Sequence, residues 1–137
     1  MSLVEKRMVE KLEKDYFPAW KKTITEACGT ELAFDVRWDE LVKEKFIDSY
    51  PETVNWNFFA PLERTLKQIC TDEIGKSAFR ALIKKVRIRS LRPSSSLEVT
   101  IDVDTLVLDA DPSYNRTKND AYVDYSKRMS AVLEARL

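Results

Sequence analysis

The stretch 97–111, LEVTIDVDTLVLDAD, carries the clearest alternation of side-chain character in the chain. Leu97, Val99 and Ile101 alternate with Glu98, Thr100 and Asp102, and Leu106, Leu108 and Ala110 alternate with Thr105, Val107 and Asp109. Successive side chains of a strand point to opposite faces, so each run has one apolar face. A turn at Val103 and Asp104 sets Ile101 opposite Leu106, Val99 opposite Leu108 and Leu97 opposite Ala110. Opposed residues share a face, so both apolar sets fall on one side. A slip of one residue would set apolar against polar along the whole hairpin.

Elsewhere the period is mostly helical. Val4, Met8, Leu12, Tyr16, Trp20 and Ile24 recur every four residues and predict a helix over about 2–27. Ser2 and Glu5 have capping-box spacing, and Gly29 is a helix stop. Pro18 lies inside the pattern and predicts a kink or break near 15–17. Residues 31–38 read as a strand, with Leu32, Phe34, Val36 and Trp38 on one face. Asp39 then caps a helix carrying Leu41, Val42, Phe46, Ile47 and Tyr50, which Pro51 stops. Residues 51–56 read as a connection.

A helix begins near Phe58, tolerates Pro61 in its first turn and buries Phe59, Leu62, Leu66, Ile69 and Cys70. Its phase slips at 71–75. Two consecutive helices are read here in preference to one long helix, the second capped by Thr71 or Asp72 and carrying Ala78, Phe79, Leu82 and Ile83. Residues 86–91 form a strand with Arg87 and Arg89 outward. The last helix starts near Lys118, with Thr117 and Asp120 at capping-box spacing and Ala121, Tyr125, Met129, Val132 and Leu137 in its stripe.

These elements define one α+β domain over 1–137. Its sheet has three or four antiparallel strands, at about 31–38, 86–91, 96–102 and 105–110. Strands joined by short loops are expected to pair antiparallel. Helices pack on the apolar face and leave the polar face in water.

The 137 residues are 44% hydrophobic and 34% charged, enough for one packed core. Lys and Arg total 23, as do Asp and Glu, which disfavours a globally basic nucleic-acid binder. The chain has no histidine, the commonest general base, and only Gly29 and Gly75 among glycines, too few for a glycine-rich phosphate loop. Cys28 and Cys70 form no CxxC pair and read as reduced, buried thiols. No membrane span is visible, and the N-terminus is too charged for a signal peptide, so a cytoplasmic location is expected. The sequon Asn115-Arg116-Thr117 is then without consequence.

Charge switches sign along the second half. Between Lys76 and Arg92 there are seven basic residues and no acid; between Glu98 and Asp111, five acids and no base. Lys84, Lys85, Arg87, Arg89 and Arg92 are candidates for an anion or nucleic-acid surface. The competing explanation is pairing within the sheet. Glu98 lies opposite Asp109, an unfavourable like-charge contact that Arg87 and Arg89 would relieve. Acids on the adjacent strand and the lack of interleaved aromatics weaken nucleic-acid recognition further. Asp102 with Asp104, and Asp109 with Asp111, have the spacing of weak oxygen-ligand pairs for Mg²⁺ or Ca²⁺ in a metal-binding protein or small enzyme. Trp56, between two asparagines in a connection, has no place in the helical pattern and is a candidate partner surface.

No catalytic or cofactor motif links these residues, and no cofactor is expected. The sequence thus points to a non-catalytic module that binds another protein or itself. Anion or nucleic-acid binding through 76–92 ranks behind it, and an enzymatic or metal role third.

Overall fold

The computed structural model describes residues 1–93, 95–113 and 118–137, with side chains in the last segment described from Tyr122 onward. The sequon, Ser94, the Thr117–Asp120 capping pair and the Ala121 side chain lie outside the described residues.

The N-terminal pattern folds as helix α1 (Leu3–Lys11), a π-helical turn (Leu12–Tyr16) and helix α2 (Phe17–Cys28), without interruption. The capping box forms: the Glu5 N–H donates to Ser2 Oγ at 3.2 Å and the Ser2 N–H to Glu5 Oε1 at 2.8 Å. The disturbance expected from Pro18 takes the form of the π turn. There the Phe17 N–H reaches back five residues to the Leu12 carbonyl. The wider turn gives room to a proline ring that would otherwise crowd the carbonyl four residues earlier. Pro61 repeats the arrangement. It too stands two residues beyond a π turn (Asn55–Phe59), which closes with the Ala60 N–H on the Asn55 carbonyl. Gly29 ends α2 in the left-handed conformation at φ 74°.

Strand β1 (Ala33–Val36) is shorter than expected, because Trp38 already begins helix α3 (Trp38–Leu41). The helix expected from Asp39 to Pro51 is not continuous. A 3₁₀ turn (Glu44–Ser49), with non-helical φ/ψ at Phe46, separates α3 from helix α4 (Tyr50–Val54). Pro51 sits in the first turn of α4 and so starts a helix instead of stopping one. The supposed connection 51–56 is helical throughout. Two helices follow, α5 (Ala60–Ile69) and α6 (Glu73–Leu82), and Asp72 caps the second by accepting from the Gly75 N–H at 2.8 Å. A Cβ on Gly75 would lie 1.8 Å from the Ile69 carbonyl oxygen, so only glycine allows α6 to turn back this closely on α5.

Strands β2 (Lys85–Arg89), β3 (Glu98–Asp102) and β4 (Thr105–Asp109) complete one four-stranded sheet, ordered β1-β2-β4-β3. The β3–β4 hairpin has the expected register, with Val99 opposite Leu108 and Ile101 opposite Leu106. The purely antiparallel sheet is not found. β2 pairs with β4 and β1 pairs with β2, both in parallel. The reason lies in the segment 90–97, which carries the chain past the end of β4 before β3 begins. The hairpin then folds back and inserts β4 in the centre. All five residues of β4 are buried, whereas β2, which is also flanked on both sides, buries only Val86 and Ile88. One polar-face residue, Val107, is buried between its register partners Arg87 and Thr100.

Phe34, Val36, Val86, Ile88, Val99, Ile101, Leu106 and Leu108 pack with the helices in one apolar cluster. Helix α7 (Lys118–Glu134) joins it through Tyr125, Met129 and Leu133. Leu133, not Val132, continues the stripe, and Leu137 is exposed. No helix among the described residues is long and apolar enough to cross a membrane.

Candidate functional site

The two π turns bear directly on the most distinctive surface feature. Five residues, Asn55 to Phe59, occupy the second π turn, directly before α5. Phe58 and Phe59 are buried, whereas Trp56 is half-buried and stands outside the apolar stripe. An extra residue per turn rotates the helix face, which separates Trp56 from the core positions on either side. Trp20 lies on α2, one turn beyond the first π turn, and stacks on Phe59 with ring centroids 4.8 Å apart and planes 20° apart. From α7, Tyr122 meets Trp56 edge to face at 5.7 Å.

Trp20, Trp56, Phe59 and Tyr122 thus wall a cleft of about 490 Å³ between α2, α5 and α7. A buried hydroxyl contact fixes α7 against α5. Thr65 and Ser126 place their side-chain oxygens 2.9 Å apart, and Thr65 also donates to the Pro61 carbonyl at 2.9 Å. Tyr122 is one turn before Ser126 on the same helical face. The floor of the cleft carries charge. The Arg64 guanidinium sits over the Tyr122 ring at 5.1 Å, and Lys67 Nζ lies 2.8 Å from Glu63 Oε1. That hydrogen bond raises the Lys67 pKa.

A smaller cavity of about 260 Å³ shares Thr23, Glu63 and Lys67 with the aromatic cleft and continues between α2 and α5 to Cys70 and Lys76. Burial pushes the Cys70 thiol up to about 11 and raises that of Cys28, and both cysteines are free. Such thiols are protonated and poor nucleophiles at neutral pH.

A second cleft, of about 800 Å³, lies beyond the carboxyl ends of β2 and β4, between Leu41, Phe46, Leu91 and Asp111. Its carboxylates serve its own loops. Glu40 accepts from the Ser90 N–H at 3.3 Å, and Asp111 Oδ1 accepts from both the N–H and hydroxyl of Ser113, at 2.9 and 2.6 Å.

The basic candidates from the sequence do not form one surface of unneutralised charge. Arg87 Nε lies 2.9 Å from Asp35 Oδ2, Arg89 Nε 3.0 Å from Asp109 Oδ2, and Arg92 3.3 Å from Glu98. Lys84 Nζ donates to the Arg80 carbonyl, and Lys85 is half-buried on β2. The strand beside the arginines is β4, not β3, so Glu98, Thr100 and Asp102 are one strand further away than expected. Asp35, on the other neighbour, takes two arginines, since Arg37 Nε is also 2.9 Å from it. These two hydrogen bonds, Arg37 first and Arg87 second, hold the Asp35 carboxyl below its ordinary range.

The four aspartates are divided between the two ends of the hairpin. Asp102 ends β3 and Asp104 lies in the turn itself, where its carbonyl accepts from the Lys84 N–H at 2.8 Å. Asp109 is buried against Arg89 and the Leu91 N–H, and the half-buried Asp111 accepts from Ser113. Among the described residues no group of three or more cysteine or carboxylate side chains is placed to hold a metal ion.

Sequence reasoning singled out Trp56 but not its neighbours. Trp20 fell within the predicted core stripe, and Tyr122 lies beside the stripe of α7. The usable signal was the repeated placement of a proline just beyond an aromatic residue, Phe17-Pro18 and Phe59-Ala60-Pro61, each marking a disturbed helical turn. No protein-family model, curated protein or solved structure matches the chain.

Proposed function

We propose that this chain is a non-catalytic binding module that holds a segment of another polypeptide in the cleft walled by Trp20, Trp56 and Tyr122. One observation carries this reading: three large, polar-tipped aromatic side chains from three separate helical elements surround one cavity. Tryptophan and tyrosine bury much area at low entropic cost and dominate protein–protein hot spots. The strongest rival, the basic stretch, has its arginines committed to acids within the fold. The cleft beyond the sheet has its carboxylates committed to its own backbone. Two buried, protonated thiols suit a reducing compartment, and we place the module in the cytoplasm.

The test is affinity capture from the source cell with the wild-type chain and with Trp56→Ala, each first checked by circular dichroism and melting temperature. One or more proteins should be retained by the wild type and lost with the folded variant. Equal retention by both would contradict the proposal.

A further inference from the structure

We infer that the occupant of the aromatic cleft is an acidic peptide segment: an aromatic or large aliphatic anchor followed, about four residues later, by aspartate or glutamate. This rests on the binding-module reading and specifies the partner's chemistry.

The shape of the site comes first. The aromatic cleft does not end at its walls. It continues through Thr23, Glu63 and Lys67 into the smaller cavity lined by Cys70 and Lys76. Two cavities joined along one helix make an elongated groove. A groove of this kind receives a length of chain more readily than a compact small molecule.

The charges supply the sign. Arg64, Lys67 and Lys76 face Glu63 and Glu26 along the two cavities. The cations differ in commitment. Lys67 is tied to Glu63 at 2.8 Å, and Lys76 approaches Glu73 at 3.8 Å. Among the described residues no carboxylate lies within ion-pair distance of Arg64. Its guanidinium is instead held over the Tyr122 ring at 5.1 Å. A planar guanidinium held in place is suited to bidentate contact with a carboxylate. Lys67 is exposed but already bonded to the half-buried Glu63, with Glu26 nearby, so it assists Arg64 by sharing its charge with a second carboxylate.

The spacing follows from helix geometry. Arg64 stands eight residues after Trp56, roughly 12 Å along the axis at about 1.5 Å per residue. An extended chain covers that distance in about four residues. Lys67, one turn further on, takes an acid about five residues from the anchor.

Selection from a random twelve-residue peptide display library against the intact chain tests this without assuming a sequence. The expected result is enrichment of peptides with an aromatic or large aliphatic residue followed four to five positions later by Asp or Glu. Synthetic versions should lose about tenfold or more in affinity toward Trp56→Ala. With Arg64→Glu, and separately with the exposed Lys67→Glu, the preference should turn toward peptides carrying Lys or Arg at that position. If anchored peptides are enriched without an acid, or keep their affinity in both charge variants, the acidic occupant is overturned while the cleft remains a polypeptide site. If no peptide is enriched, or those enriched bind Trp56→Ala equally well, both this inference and the binding-module reading fall.

Discussion

Arg89 on β2 and Asp109 on β4 are register partners across two parallel strands, with Nε 3.0 Å from Oδ2. The Asp109 side chain is 5% exposed and that of Arg89 30%. The pair joins one base and one acid of the two oppositely charged segments, as Arg92 and Glu98 do. A central strand carrying a buried carboxylate needs a cation beside it, because an unpaired buried charge is costly. Arg89→Ala leaves Asp109 with the Leu91 N–H as its remaining partner. The expected cost is about 1–3 kcal/mol, read as a lower urea midpoint at unchanged slope. The double variant Arg89→Ala/Asp109→Ala should recover part of that loss.

Asp35 gives the sheet a dependence on pH. Its folded-state pKa is lowered by Arg37 and Arg87, so it binds its proton less readily folded than unfolded. Its contribution is therefore present above the ordinary carboxylate value of 3.8 and is lost as pH falls through and below it. Urea midpoints measured from pH 6 down to about pH 2.5 should fall more steeply for the wild type than for Asp35→Asn. Parallel profiles would show that the two arginines do not act on Asp35 in this way.

At the hairpin tip Val103 has φ 58° and is 86% exposed. A β-branched residue in the left-handed region is strained, and here it has almost no packing to offset the strain. Val103→Asn should raise stability by roughly 0.5–1 kcal/mol, seen as a higher melting temperature, since asparagine tolerates this conformation.

The hairpin was legible in the sequence because its information is local. Alternation fixes which face of 97–110 is buried, and a two-residue turn fixes the register. The neighbour of β2 was not legible. Alternation in 86–91 gives the face of a strand but not the strand it pairs with. That is decided by the path of 90–97 past the end of β4. Val107 carried a trace of the answer: this apolar residue at a polar-face position is buried between Arg87 and Thr100 on the two neighbouring strands. The cleft was hidden for a different reason. A 3.6-residue template cannot register the extra residue of a π turn, so Trp56 read as a stray aromatic in a connection. Pro18 signalled the first disturbance but not its form, whereas Pro61 read as an ordinary first-turn proline. The contact of Tyr122 with Trp56 joins residues far apart in sequence, through the packing of α7 on α5.

The chain's three tryptophans provide the most direct test of the aromatic cleft. Trp20 and Trp56 line it, whereas Trp38 is 9% exposed in the apolar core, against Phe17. The measurement is the shift of the three indole N–H resonances in ¹⁵N-labelled protein during titration with a peptide selected as above. The Trp20 and Trp56 signals are expected to move together, saturably, while Trp38 stays in place. Binding that leaves Trp20 and Trp56 unmoved would contradict the cleft as the binding site.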